Sequence, residues 1–178
     1  AGLALLPEDA WQSHYQLKRD LCLSTVELEY QHGDVEAAAA LAEEVLDNAR
    51  ALLDKIEVYE YRILFHIARN EMNEAIEVAL DALPMLGISL PRGAAAMAAY
   101  EREIRDEIVP DDALFETLDA APELTEPTRA AALRILTNAA SAAYIANPAV
   151  WRLMVLTAVV GDAHHGNSAL AVSAYSWY

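Results

Sequence analysis

A short sequence pattern occurs twice in this chain, at an offset of 37 residues (70 minus 33). The first copy is GDVEAAAALAEEVLDNA, which begins at Gly33, and the second is NEMNEAIEVALDAL, which begins at Asn70. Both copies start with a residue that tolerates a left-handed backbone and continue with apolar residues three or four positions apart. The pattern predicts a turn followed by an amphipathic helix in each copy, with Asp34 as the N-cap of the first helix.

Helices are predicted on both sides of each turn: one that opens at Pro7-Glu8-Asp9 and stops at Gly33, and three over residues 35–50, 53–69 and 72–86. The first is expected to end at Gly33 and the fourth near Gly87, since glycine favours the backbone that closes a helix. Pro84 lies in the fourth helix and is expected to disturb its final turn. The apolar stripe of the first helix is predicted to consist of Trp11, Tyr15, Leu17, Leu21, Val26, Leu28 and Tyr30.

Two helices with their turns, at about 34 residues per unit, match the length of a tetratricopeptide-type (TPR) repeat. One such hairpin cannot cover its own apolar face, so neighbouring hairpins must stack. We predict an all-α fold, a TPR-like α-α superhelix of antiparallel helix hairpins, with two hairpins in 1–88 and less regular helical pairs in 89–178. The alternative is a non-repeating helical domain whose two hairpins are alike by chance. Small residues are expected where paired helices approach closely, at Ala38, Ala42, Ala75, Ala79 and Ala82.

The second half of the chain is also predicted to be helical, since no segment alternates in the manner of a strand. ISLPRG (88–93) marks a longer connection, and helices follow over 94–108, 113–121, 128–146 and 149–162. Thr125 is expected to cap the helix that begins at 128, and Asn147-Pro148 to separate the last two helices. HHGN, from His164, is expected to be a solvated turn. The final SALAVSAYSWY is expected to begin another helix whose aromatic end either frays or packs on a neighbouring molecule, and the second outcome is one route to a homo-oligomer.

Charge and cysteine content exclude several classes of function. The net charge is −16, with 28 acidic and 12 basic residues. Binding to nucleic acid or to anionic lipid requires Lys and Arg, so neither partner is expected. Cys22 is the one cysteine of the sequence, which fits a reducing, cytoplasmic setting. The longest apolar run, 139–161, contains Asn147, Pro148 and Arg152, which favours two buried helices over a membrane span.

The sequence contains no motif that indicates catalysis or a cofactor. The six glycines are scattered and none opens a loop ending in Lys-Ser/Thr, so no phosphate-binding loop is expected. His164-His165 lacks further ligands at metal-binding spacing, so no metal site is expected. Cys22 and His14 could share one helix face, but a buried structural thiol is favoured over a nucleophile. Carboxylates spread along the helices are expected on the hydrated surface: Glu27, Glu29, Glu43, Glu44, Glu57 and Glu60.

Five aromatic residues form the candidate binding site of the sequence. They could line a concave groove that holds a peptide or a small ligand. The alternative, which is favoured, is that they pack as core residues between hairpins. The five residues are Trp11, Tyr15, Tyr30, Tyr59 and Tyr61.

Long segments of the chain resemble a known family. LLPEDAWQSHYQLKRDLCLSTVELEYQHGDVEAAAALAEEVL and LLDKIEVYEYRILFHIARNEMNEAIEVALDALPMLGISLP resemble the helical region that follows the AAA/STAND-type ATPase domain in large bacterial hybrid signalling proteins. RAAALRILTNAASAAYIANPAVWRLM and HHGNSALAVSAYSWY resemble the continuation of that region. Such proteins combine a serine/threonine-kinase-like domain, the ATPase and these repeats with a GAF domain and a histidine kinase or another output domain. The resemblance implies that nucleotide-binding and phosphoacceptor residues lie in other domains, so no catalytic residue is carried over.

The expected function is therefore a non-catalytic helical-repeat scaffold for protein–protein interaction or signal coupling within a bacterial multidomain signalling ATPase or kinase. Its expected partners are flanking domains or a peptide. The alternative is a small-molecule- or peptide-binding sensor domain of a transcription regulator. An enzyme would instead need a pocket with convergent, strongly perturbed carboxylates.

Overall fold

The computed structural model describes residues 2–107 and 122–166 of the chain. This part is built from helices and contains no β-strand, which confirms the predicted all-α class. Short 3-10 helices cover Leu3–Leu5 and Leu83–Leu86. The α-helices are α1 (Ala10–Ser13), α2 (Tyr15–His32), α3 (Val35–Asn48), α4 (Leu52–Ala68), α5 (Met72–Ala82), α6 (Ala94–Asp106), α7 (Pro127–Ala146) and α8 (Pro148–His165).

The chain divides into two compact units, Ala1–Tyr61 and Arg62–Tyr178, and the division falls within α4. This division differs from the hairpin boundary predicted at residue 88, which stays a prediction. The predicted helix 113–121 and the final segment from residue 168 lie outside the described residues. No described helix combines the length and the apolar character that crossing a membrane requires.

In the first unit α2 packs against α3 over one small core. The fully buried members of this core are Cys22, Leu23, Val26, Ala42, Val45 and Val58. Partly buried side chains that pack against it are Leu3, Trp11, Tyr30, Leu41, Leu46 and Tyr61. The small residues predicted to lie at a close helix contact are buried in α3, since Ala38 and Ala42 have no exposed surface, and the same holds for Val45.

The prediction for the first helix was wrong in two respects. The helix is interrupted at His14, whose φ of −138° and ψ of 46° separate α1 from α2. Leu17 and Leu28 are 50% and 51% exposed instead of buried. At about 100° per residue, both leucines point away from the buried Cys22 and Val26. The predicted stripe had joined residues from opposite faces of α2.

The two turns of the repeated pattern have the same backbone geometry. Gly33 has φ 84° and Asn70 has φ 61°, and Asn70 is the one described non-glycine residue with a positive φ. In each turn the N–H of this residue donates to the carbonyl three positions earlier, at 3.2 and 2.9 Å respectively. The next N–H donates to the carbonyl five positions earlier, at 2.9 and 2.8 Å, which completes a Schellman motif. The predicted left-handed turn is confirmed in both copies.

In the second unit α5 packs against α7, α7 against α8, and α6 against α8. The α-helix of the second repeat copy ends at Ala82 and continues as a 3-10 helix that contains Pro84. Gly87, with φ 82°, then closes it as predicted. Proline has no N–H for the α-helical hydrogen bond, which explains the change of helix type.

The caps of the last two helices are partly as predicted. Asn147 caps α8 by accepting from the Val150 N–H at 3.3 Å, so the predicted division of this helical pair is confirmed. The predicted cap at Thr125 is wrong. Glu126 occupies that position instead, and its carboxylate accepts from the N–H groups of Thr128 and Arg129 at 2.9 and 2.7 Å.

Candidate functional site

The five predicted aromatic residues have different surroundings. Trp11 and Tyr15 are in contact, with ring centroids 5.8 Å apart. Tyr30 and Tyr61 pack against the core of the first unit, and Tyr59 is half-buried. Trp11 also packs against that core, so three of the five residues contribute to core packing and one pair is in contact. A groove lined by all five stays a prediction.

Asp54, near the start of α4, is the centre of a polar network in the first unit. Its carboxylate accepts from the Tyr15 hydroxyl at 2.5 Å, from the Ala51 N–H at 3.1 Å and from the Arg19 guanidinium. Burial raises the pKa of Asp54, but these hydrogen bonds outweigh burial and the pKa is lowered overall. A buried charge is tolerated here because each carboxylate oxygen has donors. The network links α2 to α4.

Tyr15 connects this network to the residues between α3 and α4. Its hydroxyl accepts from the Arg50 N–H at 2.9 Å, and the Arg50 guanidinium lies 4.3 Å from the centre of the Tyr15 ring. The same guanidinium donates to the carbonyl of Trp11 at 2.5 Å. Burial and the hydrogen bond to Asp54 raise the pKa of Tyr15. These bonds hold the Trp11–Tyr15 pair in place and occupy its polar atoms.

Glu44 is a correction to the predicted hydrated carboxylates. It accepts from Trp11 Nε1 at 2.8 Å and from Lys18 Nζ at 3.0 Å. Burial raises the pKa of Glu44, but the two donors outweigh it and the pKa is lowered. Of the other carboxylates in the prediction, Glu27 and Glu43 are exposed as expected, whereas three are half-exposed: Glu29, Glu57 and Glu60.

Cys22 is a buried structural thiol, as predicted. It has no exposed surface, and burial raises its pKa although Lys18 acts in the opposite direction. His14, the base considered for it, is exposed and its Nδ1 is hydrogen-bonded to the Ser13 hydroxyl at 2.8 Å. A raised pKa keeps the thiol protonated at neutral pH, which disfavours nucleophilic chemistry.

His164 and His165 lie in the last turn of α8, and not in a turn after it as predicted. Both are exposed, with ring centroids 6.2 Å apart. Within residues 2–107 and 122–166, no three His, Cys, Asp or Glu side chains are grouped so that they could hold a metal ion.

A cavity in the second unit was missed by the sequence analysis. It has a volume of about 330 Å³ and lies between α6 and α8. Its apolar wall consists of Ile88, Ile104 and Val160, and Tyr100 and Thr157 add two hydroxyls that are 3.2 Å apart. The ionisable groups around it are Glu103, Glu107, Arg129, His164 and His165.

These lining residues are far apart in the sequence, so no local pattern brings them together. The single local signal is the spacing of Glu103, in the last turn of α6, and Glu107, its C-cap residue, which places the two carboxylates on one side. Burial lowers the pKa of His165, and the nearby charges of Arg129 and His164 lower it further.

The described residues thus contain a bonded polar network in the first unit and a cavity with charged walls in the second. Comparisons of the chain with protein-family models, with curated proteins and with solved structures find no match.

Proposed function

We propose that the chain is a non-catalytic helical-repeat scaffold for protein–protein interaction or signal coupling. The observation that carries this proposal is the equivalence of buried positions at the repeat offset. Three positions of α3 and the three positions 37 residues later in α5 all have no exposed surface: Ala38, Ala42 and Val45, and Ala75, Ala79 and Ala82.

This equivalence supports a TPR-like array of antiparallel hairpins as the finer description of the fold. Each copy combines a left-handed turn with a helix that buries small residues at the same positions. Repeat arrays present extended surfaces to partners, and small rotations between units can transmit strain along the array. A scaffold of this kind needs no catalytic group.

The outer face of α2 is the proposed contact surface. Leu17 and Leu28 are half-exposed and lie three helical turns apart on one side of the helix, about 16 Å along its axis. Leu21 lies between them on the same side and is partly covered. Exposed apolar side chains in a row are a common feature of protein contact surfaces. We name Leu17, Leu21 and Leu28 the outer leucine row.

From the resemblance of the sequence we propose that this scaffold lies beside an ATPase or kinase domain of a cytoplasmic bacterial signalling protein. The complete reading frame of the gene tests that placement first, and a frame without any such domain contradicts it. Where flanking domains exist, hydrogen exchange of α2 is expected to be slower in the full-length protein than in this chain alone. Unchanged protection throughout would contradict the coupling role.

A double variant tests the contact surface directly. Replacing Leu17 and Leu28 by Ser is expected to abolish the extra protection of α2 while changing the free energy of unfolding by less than about 1 kcal/mol, because both side chains are half-exposed. Leu5→Ser is the matched control, since Leu5 is 86% exposed and lies outside α2. Equal protection in the double variant and the control would show that the outer leucine row is not the contact.

A second candidate function is a small-molecule- or peptide-binding sensor domain of a transcription regulator. The cavity of the second unit is the observation that favours it, because its volume falls within the range of small-ligand sites. A thermal-shift screen against metabolites tests this candidate, since a ligand that binds the folded state must raise the Tm.

A further inference from the structure

The cavity of the second unit lies where α6 packs against α8. The Tyr100 hydroxyl of α6, which lines the cavity, is 3.2 Å from the Thr157 hydroxyl of α8. Outside the lining, a Glu101 carboxylate oxygen of α6 lies 3.5 Å from Arg152 Nε of α8. The charged groups of the lining lie in the last turns of the two helices and in the first turn of α7. Apolar and charged walls therefore meet in one small volume.

The charged groups of the lining have opposite signs and are not paired with each other. Glu103 and Glu107 form no salt bridge with another described residue, and the same holds for the guanidinium of Arg129. Glu126, the nearest acidic neighbour of Arg129 in the chain, uses its carboxylate to accept backbone N–H groups. Two carboxylates and one guanidinium are therefore available to a ligand.

We propose that this cavity binds a small zwitterion with an apolar side chain, such as a free α-amino acid. The ligand carboxylate pairs with Arg129, which can donate two parallel hydrogen bonds. Its ammonium group lies between Glu103 and Glu107, and its side chain packs on the wall formed by Ile88, Ile104 and Val160.

Charge balance favours a zwitterion over an ion of either sign. An anion alone would leave the two carboxylates of α6, four residues apart, repelling each other. A cation alone would leave the Arg129 guanidinium without its counterpart. Burial lowers the pKa of His165, and the positive charges around it act in the same direction, which disfavours its charged form. The volume of about 330 Å³ is at the lower end for small-ligand sites, which suits one amino acid.

This inference deepens the second candidate function and does not rest on the scaffold. Three probes with one side chain test it: L-leucine, 4-methylpentanoic acid, which lacks the amine, and 3-methylbutylamine, which lacks the carboxylate. L-leucine is expected to raise the Tm of the whole chain and to bind about tenfold or more tightly than either analogue, because each analogue loses one charged contact. Calorimetric titration at low salt measures the three affinities.

Variants assign each charge to its contact. Arg129→Gln is expected to remove the preference of the chain for L-leucine over 3-methylbutylamine while leaving its preference over 4-methylpentanoic acid. The double variant Glu103→Gln/Glu107→Gln is expected to remove the preference for L-leucine over 4-methylpentanoic acid while leaving the preference over 3-methylbutylamine. Each Glu→Gln substitution is nearly isosteric. Arg102→Gln and Glu74→Gln are the matched controls, since both residues are exposed and lie outside the cavity lining.

The absence of a Tm shift and of binding heat with L-leucine would overturn the proposal, as would equal binding of all three probes. A control variant that changes the preference as much as Arg129→Gln would also overturn it. Should another metabolite from the thermal-shift screen bind instead, the zwitterion proposal fails while the sensor function survives. None of these outcomes affects the hydrogen-exchange test of α2.

Discussion

The turn at Gly33 and the turn at Asn70 share their backbone but not the side chains that stabilise it. Both have a left-handed residue and the same pair of hydrogen bonds back to the preceding helix. After Gly33, Asp34 caps α3 by accepting from the Ala37 N–H at 3.0 Å. The equivalent residue after Asn70 is Glu71, which makes no side-chain cap bond.

Glu71 stabilises its turn in a different way. Its carboxylate accepts from Arg69 Nε at 2.7 Å and contacts His66 Nδ1 at 2.9 Å, so it joins the turn to the end of the preceding helix. The longer side chain reaches back to α4 instead of forward to α5. The comparison teaches that the fold requires the backbone conformation, whereas several polar arrangements can support it.

One clear difference in burial between the helices after the two turns is at the equivalent positions 39 and 76. Ala39 of α3 is exposed, whereas its equivalent Ile76 in α5 is 3% exposed. Within the second unit α5 packs against α7. The buried Ile76 gives α5 an apolar face that is wider than that of α3.

The largest effect on stability is expected at positions 39 and 76, when each residue is replaced by the one at the equivalent position of the other helix. Ile76→Ala should lower the free energy of unfolding by about 2–5 kcal/mol, because it leaves a cavity at a buried position. Ala39→Ile, the matched change in α3, should alter it by less than about 0.5 kcal/mol, since that position is exposed. Urea denaturation measures both. Similar losses of stability in the two variants would show that position 39 of α3 is buried as well.

The next effect concerns the left-handed residues. Gly33→Ala should lower the free energy of unfolding by about 1–2 kcal/mol, because alanine is strained at a φ of 84°. The added Cβ meets no described atom within 4 Å, so the loss measures backbone strain alone. Asn70→Gly should change stability by less than about 1 kcal/mol, since glycine keeps the geometry. Thermal denaturation checks both. An unchanged Tm of the Gly33→Ala variant would show that the left-handed residue in this turn is not required for stability.

A smaller effect is expected at the N-cap that only the first copy has. Asp34→Ala should cost about 0.5–2 kcal/mol, because the Ala37 N–H loses its acceptor. Asp34→Asn is the control, since its amide oxygen also caps a helix and most of the stability should remain. Equal losses in both variants would indicate that the charge matters more than the hydrogen bond.

The smallest effect is the pH dependence of the turn at Asn70. Hydrogen bonds from Arg69 and His66 lower the pKa of Glu71 below its usual value. A lowered pKa in the folded state stabilises the fold above the unfolded value of about 4.3, and this contribution is lost as the pH falls through the folded value. The stability difference between the wild-type chain and Glu71→Gln should therefore shrink below about pH 4.3. A difference that stays constant from pH 7 to pH 3 would contradict this assignment.

The local features of the fold were predictable because they depend on neighbours in the sequence. The left-handed turns at Gly33 and Asn70, the Asp34 cap and the Asn147 division are all set within a few residues. The faces of α2 were predicted less well. Leu17 and Cys22 both have apolar side chains, and hydrophobicity alone could not decide which of them faces the core.

The candidate sites were less predictable than the fold. The Asp54 network joins groups that lie 35 and 39 residues apart in the chain, so no spacing rule indicates it. The charged cavity combines the ends of three helices of the second unit. Burial of Glu44 and Asp54 likewise depends on which helices meet, and a carboxylate in an amphipathic pattern is ordinarily read as a surface residue.

The sequence by itself determined the helical class, the repeated turn and the small residues buried after it, because backbone conformation and helix periodicity are properties of adjacent residues. Tertiary structure alone decided that Ile76 is covered while Ala39 is exposed, and that Arg129, Glu103 and Glu107 surround one cavity. These outcomes depend on contacts between helices distant in the chain, and the packing of those helices sets the burial, the charge balance and the pKa of each group.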